Sequence, residues 1–195
     1  MKLDPRQVKS KEKLHEAYLS LLIEGHHQLT IQQVCQKAAV TRPTFYKLYK
    51  DVQELRKDII NQLLTELKEA LTIQNPIPLF EIPKEDMPEN LILFFEHVQK
   101  NHIAYETLLI YQTDALLTNG IQEILKGYVK DGIYLAETRP YLIDVNEQLI
   151  IAYVAGAYLE SMRWWITTNY AISPIDMAKT LIELSINGPY IKRLS

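Results

Sequence analysis

Apolar residues recur at three- and four-residue spacing along almost the whole chain, and only 6 of its 195 residues are glycine. Strand-like alternation between glycine-rich turns is nearly absent, so the pattern predicts an all-α fold. Leu14, Ala17, Tyr18, Leu21 and Leu22 fall at i, i+3, i+4, i+7 and i+8. They give one apolar stripe to a first helix from about Val8 to Glu24, stopped by Gly25.

Capping residues place the next three helices. Thr30-Ile-Gln-Gln33 reads as a capping box, in which the threonine hydroxyl accepts from the Gln33 N–H and the Gln33 side chain reaches back. The helix it opens runs from about Ile31 to Ala38. Ala39 and Val40 form a tight connection to Thr41, whose hydroxyl caps a helix from about Arg42 to Tyr49. Pro43 fits the first turn, where no backbone donor is needed. Asp51-Val-Gln-Glu54 is a further capping box, and the helix after it, with Leu55, Ile59, Leu63 and Leu67 four apart, reaches about Leu71.

Four prolines between Ile73 and Pro88 break helices and mark a boundary. Beyond it helices are expected at 89–101, 103–118, 120–138, 146–170 and 174–187, separated by Asn119-Gly120, Arg139-Pro140 and Ser173-Pro174. The expected domains are 1–60, a three-helix helix-turn-helix module, and 61–195, a helical bundle.

Charge divides the chain in the same place. The first sixty residues carry 11 basic and 7 acidic side chains, the remainder 10 and 17. A net charge of −3 argues against a polybasic coat for nucleic acid, but the basic front part suits a polyanion. With 47% hydrophobic and 23% charged residues the chain is neither disordered nor collagenous. Its longest apolar run, Leu149 to Leu159, is too short to span a bilayer, and the basic N-terminus lacks the apolar core of a secretory signal. With Cys35 as the only cysteine, no intramolecular disulfide or paired-cysteine zinc site forms, and a cytoplasmic protein is expected. Cys35 reads as a buried structural thiol.

A short helix, a tight turn and a second short helix on a basic first helix form the arrangement that offers a recognition helix to the DNA major groove. Residues 29–55, LTIQQVCQKAAVTRPTFYKLYKDVQEL, resemble the TetR/AcrR family of bacterial transcriptional regulators, and the clear resemblance covers about Val8 to Ile60. Further on, IIAYVAGAYLESMRWWITTNYAISPIDMAKTL looks like the closing two helices of the branch that includes activators of dihydroxyacetone use.

Phe45, Leu48 and Tyr49 share one face of the short helix and read as core. The opposite face carries Arg42, Tyr46 and Lys47, with Thr44 beside it, and the resemblance sets these against DNA together with Thr41 and Pro43. Arg42 suits a guanine edge, Thr44 and Tyr46 a thymine methyl or a phosphate, and Lys47 and Lys50 phosphates. Thr30, at a helix start, offers another phosphate site. Lys9, Lys11 and Lys13 read as DNA-backbone contacts, and Lys2 and Arg6 as an arm. The family pattern has Gly where this chain has Ala39, implying a strained turn, and Lys where it has Val52.

In the second domain the resemblance implies an effector cavity, touching several of Phe94, His97, Tyr105, Tyr111, Tyr153 and Trp164. Position by position, each aromatic reads first as ordinary core. Ala152, Ala155, Gly156 and Ala157 allow close helix approach, within the chain or in a dimer. Histidine spacing favours no metal: His97 and His102 are five apart, and His26-His27 lies in a turn. No cofactor is expected, and no GxGxxG, P-loop, GxSxG or HExxH motif suggests an enzyme. The expected function is a ligand-responsive regulator, binding a near-palindromic duplex operator as a homodimer and released by a small-molecule effector. The alternatives are an activator of the same fold and a protein-interaction adaptor.

Overall fold

Side-chain caps decide where the helices begin. In the computed structural model, which describes residues 4–26, 28–72, 89–137 and 145–187, all regular structure among those residues is helical. Lys2, His27, the proline-rich stretch 73–88 and the Arg139-Pro140 break lie outside the described residues.

Helix α1 spans Pro5–Ile23, starting earlier than the apolar stripe suggests. Asp4 caps it by accepting from the Arg6 N–H at 2.8 Å, and the Gln7 side chain returns to the Asp4 N–H at 3.1 Å. Pro5 takes the first helical position, where its missing donor matters least. Gly25, at φ 88, closes the helix in the left-handed region. Helix α2 (Ile31–Ala38), α3 (Arg42–Leu48) and α4 (Val52–Leu71) follow.

The chain divides between Leu63 and Leu64 into two compact units. In the first, all five residues of the α1 stripe are buried, together with Val34, Cys35 and Ala38 of α2, Phe45 of α3 and Leu55, Ile59 and Ile60 of α4. Burial pushes the Cys35 thiol up, as the structural reading requires.

The second unit contains α5 (Glu89–Lys100), α6 (His102–Tyr105), α7 (Ala115–Glu137), α8 (Glu147–Thr167) and α9 (Pro174–Asn187). Here the expected boundaries need correction. Helix α6 runs directly into a π-helical turn, Glu106–Tyr111, and the chain breaks at residues 112–114 instead of at Asn119-Gly120. Thr113 sits at φ 35, and Asp114 starts α7 by accepting from the Leu116 N–H at 2.9 Å. Gly120 lies inside α7 because of packing: an added Cβ would come within 2.3 Å of Leu64 Cδ1. The π turn is tied to α8 through Arg163, whose guanidinium donates to the Leu109 carbonyl at 3.2 Å.

Helix α8 ends at Thr167, three residues before its expected end, because Asn169 and Tyr170 both turn left-handed at φ 55 and 57. The Tyr170 N–H then bonds the Trp165 carbonyl at 2.9 Å. Phe95 and Tyr170 meet Trp165 edge-on, with centroids 5.3 and 4.9 Å away, and the Trp165 indole N–H donates to the Ile172 carbonyl at 2.8 Å. This aromatic group, with Leu91, Phe94, Leu109, Leu117, Ile121 and Met162, is the core of the second unit.

Candidate nucleic-acid interface

The turn between α2 and α3 fixes how the short helices meet. Thr30 caps α2 as a full box: its hydroxyl accepts from the Gln33 N–H at 3.3 Å, and Gln33 Oε1 accepts from the Thr30 N–H at 2.9 Å. At the far end Ala39 adopts φ 52, ψ 41, and the Val40 N–H returns to the Cys35 carbonyl at 3.0 Å. A left-handed alanine carries strain that glycine would not.

Thr41 then caps α3, accepting from the Thr44 N–H at 3.3 Å, and its hydroxyl lies 2.9 Å from that of Thr44. Phe45 is wholly buried and Tyr49 nearly so, which anchors one face of α3 and leaves Leu48 half-buried. The other face is open. Arg42, Pro43, Tyr46 and Lys47 are exposed, as are Thr30, Thr41 and Lys50, while Thr44 is half-buried. Arg42 is already oriented: its Nη2 donates to Gln32 Oε1 on α2 at 2.9 Å. Sequence reasoning missed Gln32, whose exposed place one position into α2 was its only signal. The start of α4 differs by one residue from the expected box, since Asp51 accepts from the Glu54 N–H but Glu54 Oε2 accepts from the Lys50 N–H.

Among the α1 lysines, Lys9 and Lys13 are exposed, as DNA-backbone contact would require. Lys11 is engaged elsewhere. Its ammonium lies 2.8 Å from Asp58 Oδ2 on α4. The same carboxylate oxygen accepts from the Tyr49 hydroxyl at 2.6 Å and lies 3.0 Å from His15 Nε2.

The six residues expected to line an effector site fall into two groups. Phe94 and Tyr105 are wholly buried, and the Tyr105 hydroxyl meets His97 Nε2 at 3.0 Å. Burial pushes the Tyr105 phenol well above its ordinary value. Tyr111, Tyr153 and Trp164 are 76%, 74% and 52% exposed. Helical phase explains two of the second group: Ala155, Tyr158, Met162 and Trp165 form the inward stripe of α8, which turns Tyr153 and Trp164 outward.

An all-helical chain whose first unit presents a capped α2, a left-handed turn and an open-faced α3 has the architecture of a helix-turn-helix transcriptional regulator. Comparison with known proteins narrows the class. Residues 85–187 match the family model described as the transcriptional regulator C-terminal region of the TetR type. With more than half of its length in that match, the chain belongs to the TetR family of transcriptional regulators.

The HTH-type transcriptional regulator YxbF of Bacillus subtilis (strain 168) is 28% identical over 93 residues, 47% of this chain and 24% of YxbF. The match thus spans about a quarter of that relative's length. Two solved structures show the same fold. The dihydroxyacetone kinase operon activator DhaS superposes with a TM-score of 0.62 at 18% identity, covering 91% of this chain and 94% of DhaS. The fatty acid degradation regulator FadR of Bacillus halodurans gives 0.67 at 17% identity, over 98% and 100%. No described helix is long and apolar enough to cross a membrane.

Proposed function

We propose that this chain binds a duplex operator as a homodimer, with 1–60 reading DNA and 61–195 dimerising and holding a small-molecule effector that changes operator affinity. The open face of α3 carries this reading: Arg42, Tyr46 and Lys47 are exposed on a helix anchored from behind by Phe45. Arg42 serves as the base reader, its fork held by Gln32, and Thr30, Lys47 and Lys50 serve as phosphate contacts.

An outward stripe on α8 supports the dimer. Leu149, Tyr153 and Trp164 are exposed along it, Ile175 and Leu184 are exposed on α9, and small Gly156 and Ala157 permit close approach between helices. Tyr153 and Trp164 suit this surface better than an interior cavity, which leaves Phe94, His97 and Tyr105 as the effector-facing candidates. The histidine–phenol pair among aromatic side chains suits a small, partly apolar molecule. Release from the operator by that molecule, in the cytoplasm, is the working mode. Activation is the second reading, favoured by the fold shared with DhaS, an operon activator.

Selection of bound sequences from a random duplex pool tests the proposal. The expected product has inverted half-sites, one for each α3. A chain that enriches no duplex, or that stays monomeric at micromolar concentration, overturns it.

A further inference from the structure

The exit of α3 is held by a polar cluster that the helix-turn-helix pattern does not require. Tyr49 caps the C-terminus of α3 with an extended backbone, φ −142 and ψ 140, and its ring packs on Phe45 with centroids 5.8 Å apart. Its hydroxyl meets groups from two other helices. It donates to Asp58 Oδ2 of α4 at 2.6 Å and lies 3.0 Å from His15 Nε2 of α1. His15 Nε2 is in turn 3.0 Å from Asp58 Oδ2, and Lys11 Nζ reaches the two oxygens of that carboxylate at 2.8 and 3.1 Å.

The chemistry of these groups gives the cluster a direction. Burial alone would raise the Asp58 carboxyl, but the Lys11 ammonium and the Tyr49 hydroxyl outweigh it and hold the group below its usual range. An ionised carboxylate only accepts hydrogen bonds, so the Tyr49 proton is committed to it and the phenol cannot turn its donor elsewhere. Helix α3 has seven residues and is only ~10 Å long at about 1.5 Å of rise per residue. A displacement of about 1 Å at one end therefore tilts it by roughly 6° and moves its base-reading side chains off their targets.

We propose that Asp58 and His15 are positioning residues for DNA binding, acting through the Tyr49 hydroxyl to set the tilt of α3, and that Lys11 serves this carboxylate instead of a DNA phosphate. The inference rests on the reading of α3 as the recognition helix. It separates two kinds of lysine on α1: Lys9 and Lys13, open to a polyanion, and Lys11, which is part of the scaffold that aims the helix.

The test uses the full chain, the duplex that the unaltered protein enriches from a random pool, and a scrambled duplex of the same composition. Tyr49→Phe removes one oxygen and keeps the ring against Phe45; Asp58→Asn keeps the shape and removes the charge. Both affinities are measured well below each variant's melting temperature, so that only folded protein is compared. Tyr49→Phe is expected to weaken the enriched duplex about tenfold while changing the scrambled one less than twofold. An unchanged ratio between the two duplexes in folded Tyr49→Phe overturns the proposal, whatever its melting temperature, and decides the matter if Asp58→Asn does not fold. Lys11→Met is expected to leave the salt dependence of binding unchanged; a slope smaller by about one overturns the assignment of Lys11. If the unaltered protein enriches no duplex, the DNA-binding reading falls and this inference with it. If it does, and the Tyr49→Phe ratio matches the parent, this inference alone falls.

Discussion

In the first unit a histidine and a tyrosine, His15 and Tyr49, converge on the Asp58 carboxylate beside a lysine. In the second, His97 and Tyr105 pair at 3.0 Å, with Asn101 Nδ2 at 3.2 Å from His97 Nδ1 and the tyrosine wholly buried. Both include a carboxylate, since Glu66 Oε2 lies 3.6 Å from His97 Nδ1, but in the first the carboxylate is the hub of the hydrogen bonds and in the second the hub is a buried phenol. The same contrast runs through the helix ends. In the first unit, caps lie two or three residues from the groups they satisfy, as Asp4, Thr30, Thr41 and Asp51 show. The second unit has local caps as well, at Asp114, Asn146 and Ser173, but depends in addition on partners far along the chain, including the Arg163 bond to Leu109, 54 residues away, and the packing of Phe95 on Trp165. The first unit therefore starts its helices locally and joins them through a charged cluster that is sensitive to charge; the second is held by distant packing and is sensitive to volume.

The largest expected effect tests the packing side. Trp165→Ala should destabilise the second unit by ~3–5 kcal/mol, because it empties a wholly buried indole site, as read by urea unfolding monitored by circular dichroism. Trp164→Ala should instead weaken self-association and leave the unfolding of the isolated chain within about 0.5 kcal/mol of the parent. Similar losses for the two neighbours would erase the distinction between the two faces of α8.

On the charged side, Arg42→Ala should cost ~1–3 kcal/mol on the preferred duplex and flatten base preference at one position of each half-site. Lys47→Ala should weaken all duplexes alike and reduce the salt slope by about one. Identical sequence profiles in both variants would show that the exposed face of α3 reads no base.

The acid limit should separate the units. Burial lowers the His15 imidazole below its ordinary value of 6.5, although Asp58 pulls it the other way. The folded first unit then binds fewer protons than the unfolded chain, so this stability is present above about pH 6.5 and is lost as pH falls below it. Asp58, also lowered, adds a further loss as pH falls through 3.8 and below. In the second unit burial raises Tyr105, Tyr128, Tyr158 and Tyr170, so their contribution is intact below pH 10 and is lost above it. Tyr49 shares that alkaline loss in the first unit. Unfolding midpoints followed across pH should show the first unit failing first in acid, with His15→Gln flattening the decline between pH 6.5 and 5. An acid limb unchanged in that variant would remove His15 from the account.

The smallest effect sharpens the local rule. Ala39→Gly should relieve ~1–2 kcal/mol of left-handed strain and return part of it as chain entropy, for a net gain below about 1 kcal/mol. A lower melting temperature would mean that the φ of 52 carries no strain worth relieving.

This contrast also explains what the sequence made legible. The start of helix α2 is legible to the residue because its hydroxyl and amide caps declare themselves within four positions. The Asp4–Gln7 box is equally visible in the sequence, but it lies ahead of the apolar stripe, which by itself starts the helix too late. Asn119-Gly120 misled because the dipeptide reads as a turn, whereas the reason for Gly120 is a leucine 56 residues earlier. Trp164 and Trp165 are indistinguishable by composition, and only the phase of α8 settles which one is inside. Lys11 read as free because its acceptor lies 47 residues away. The open face of α3 was legible in outline, but its orientation devices, Gln32 and the Tyr49 hydroxyl, appear only when helices meet.

The π turn from Glu106 to Tyr111 has a consequence for chain length. A π turn closes its hydrogen bond one residue later than an α turn, so the segment holds one residue more than regular helix needs. Deleting a single residue there lets the backbone revert to α geometry without breaking the helix. Because the turn has absorbed that extra residue, the residues on either side keep nearly the same faces, whereas a deletion in regular α-helix would rotate them by about 100° relative to one another. The change is confined to the turn, which supplies the Leu109 carbonyl that accepts from Arg163. A one-residue gap in this stretch between two relatives therefore leaves the helical register on both sides unchanged, and the flanking residues can be compared face for face across it.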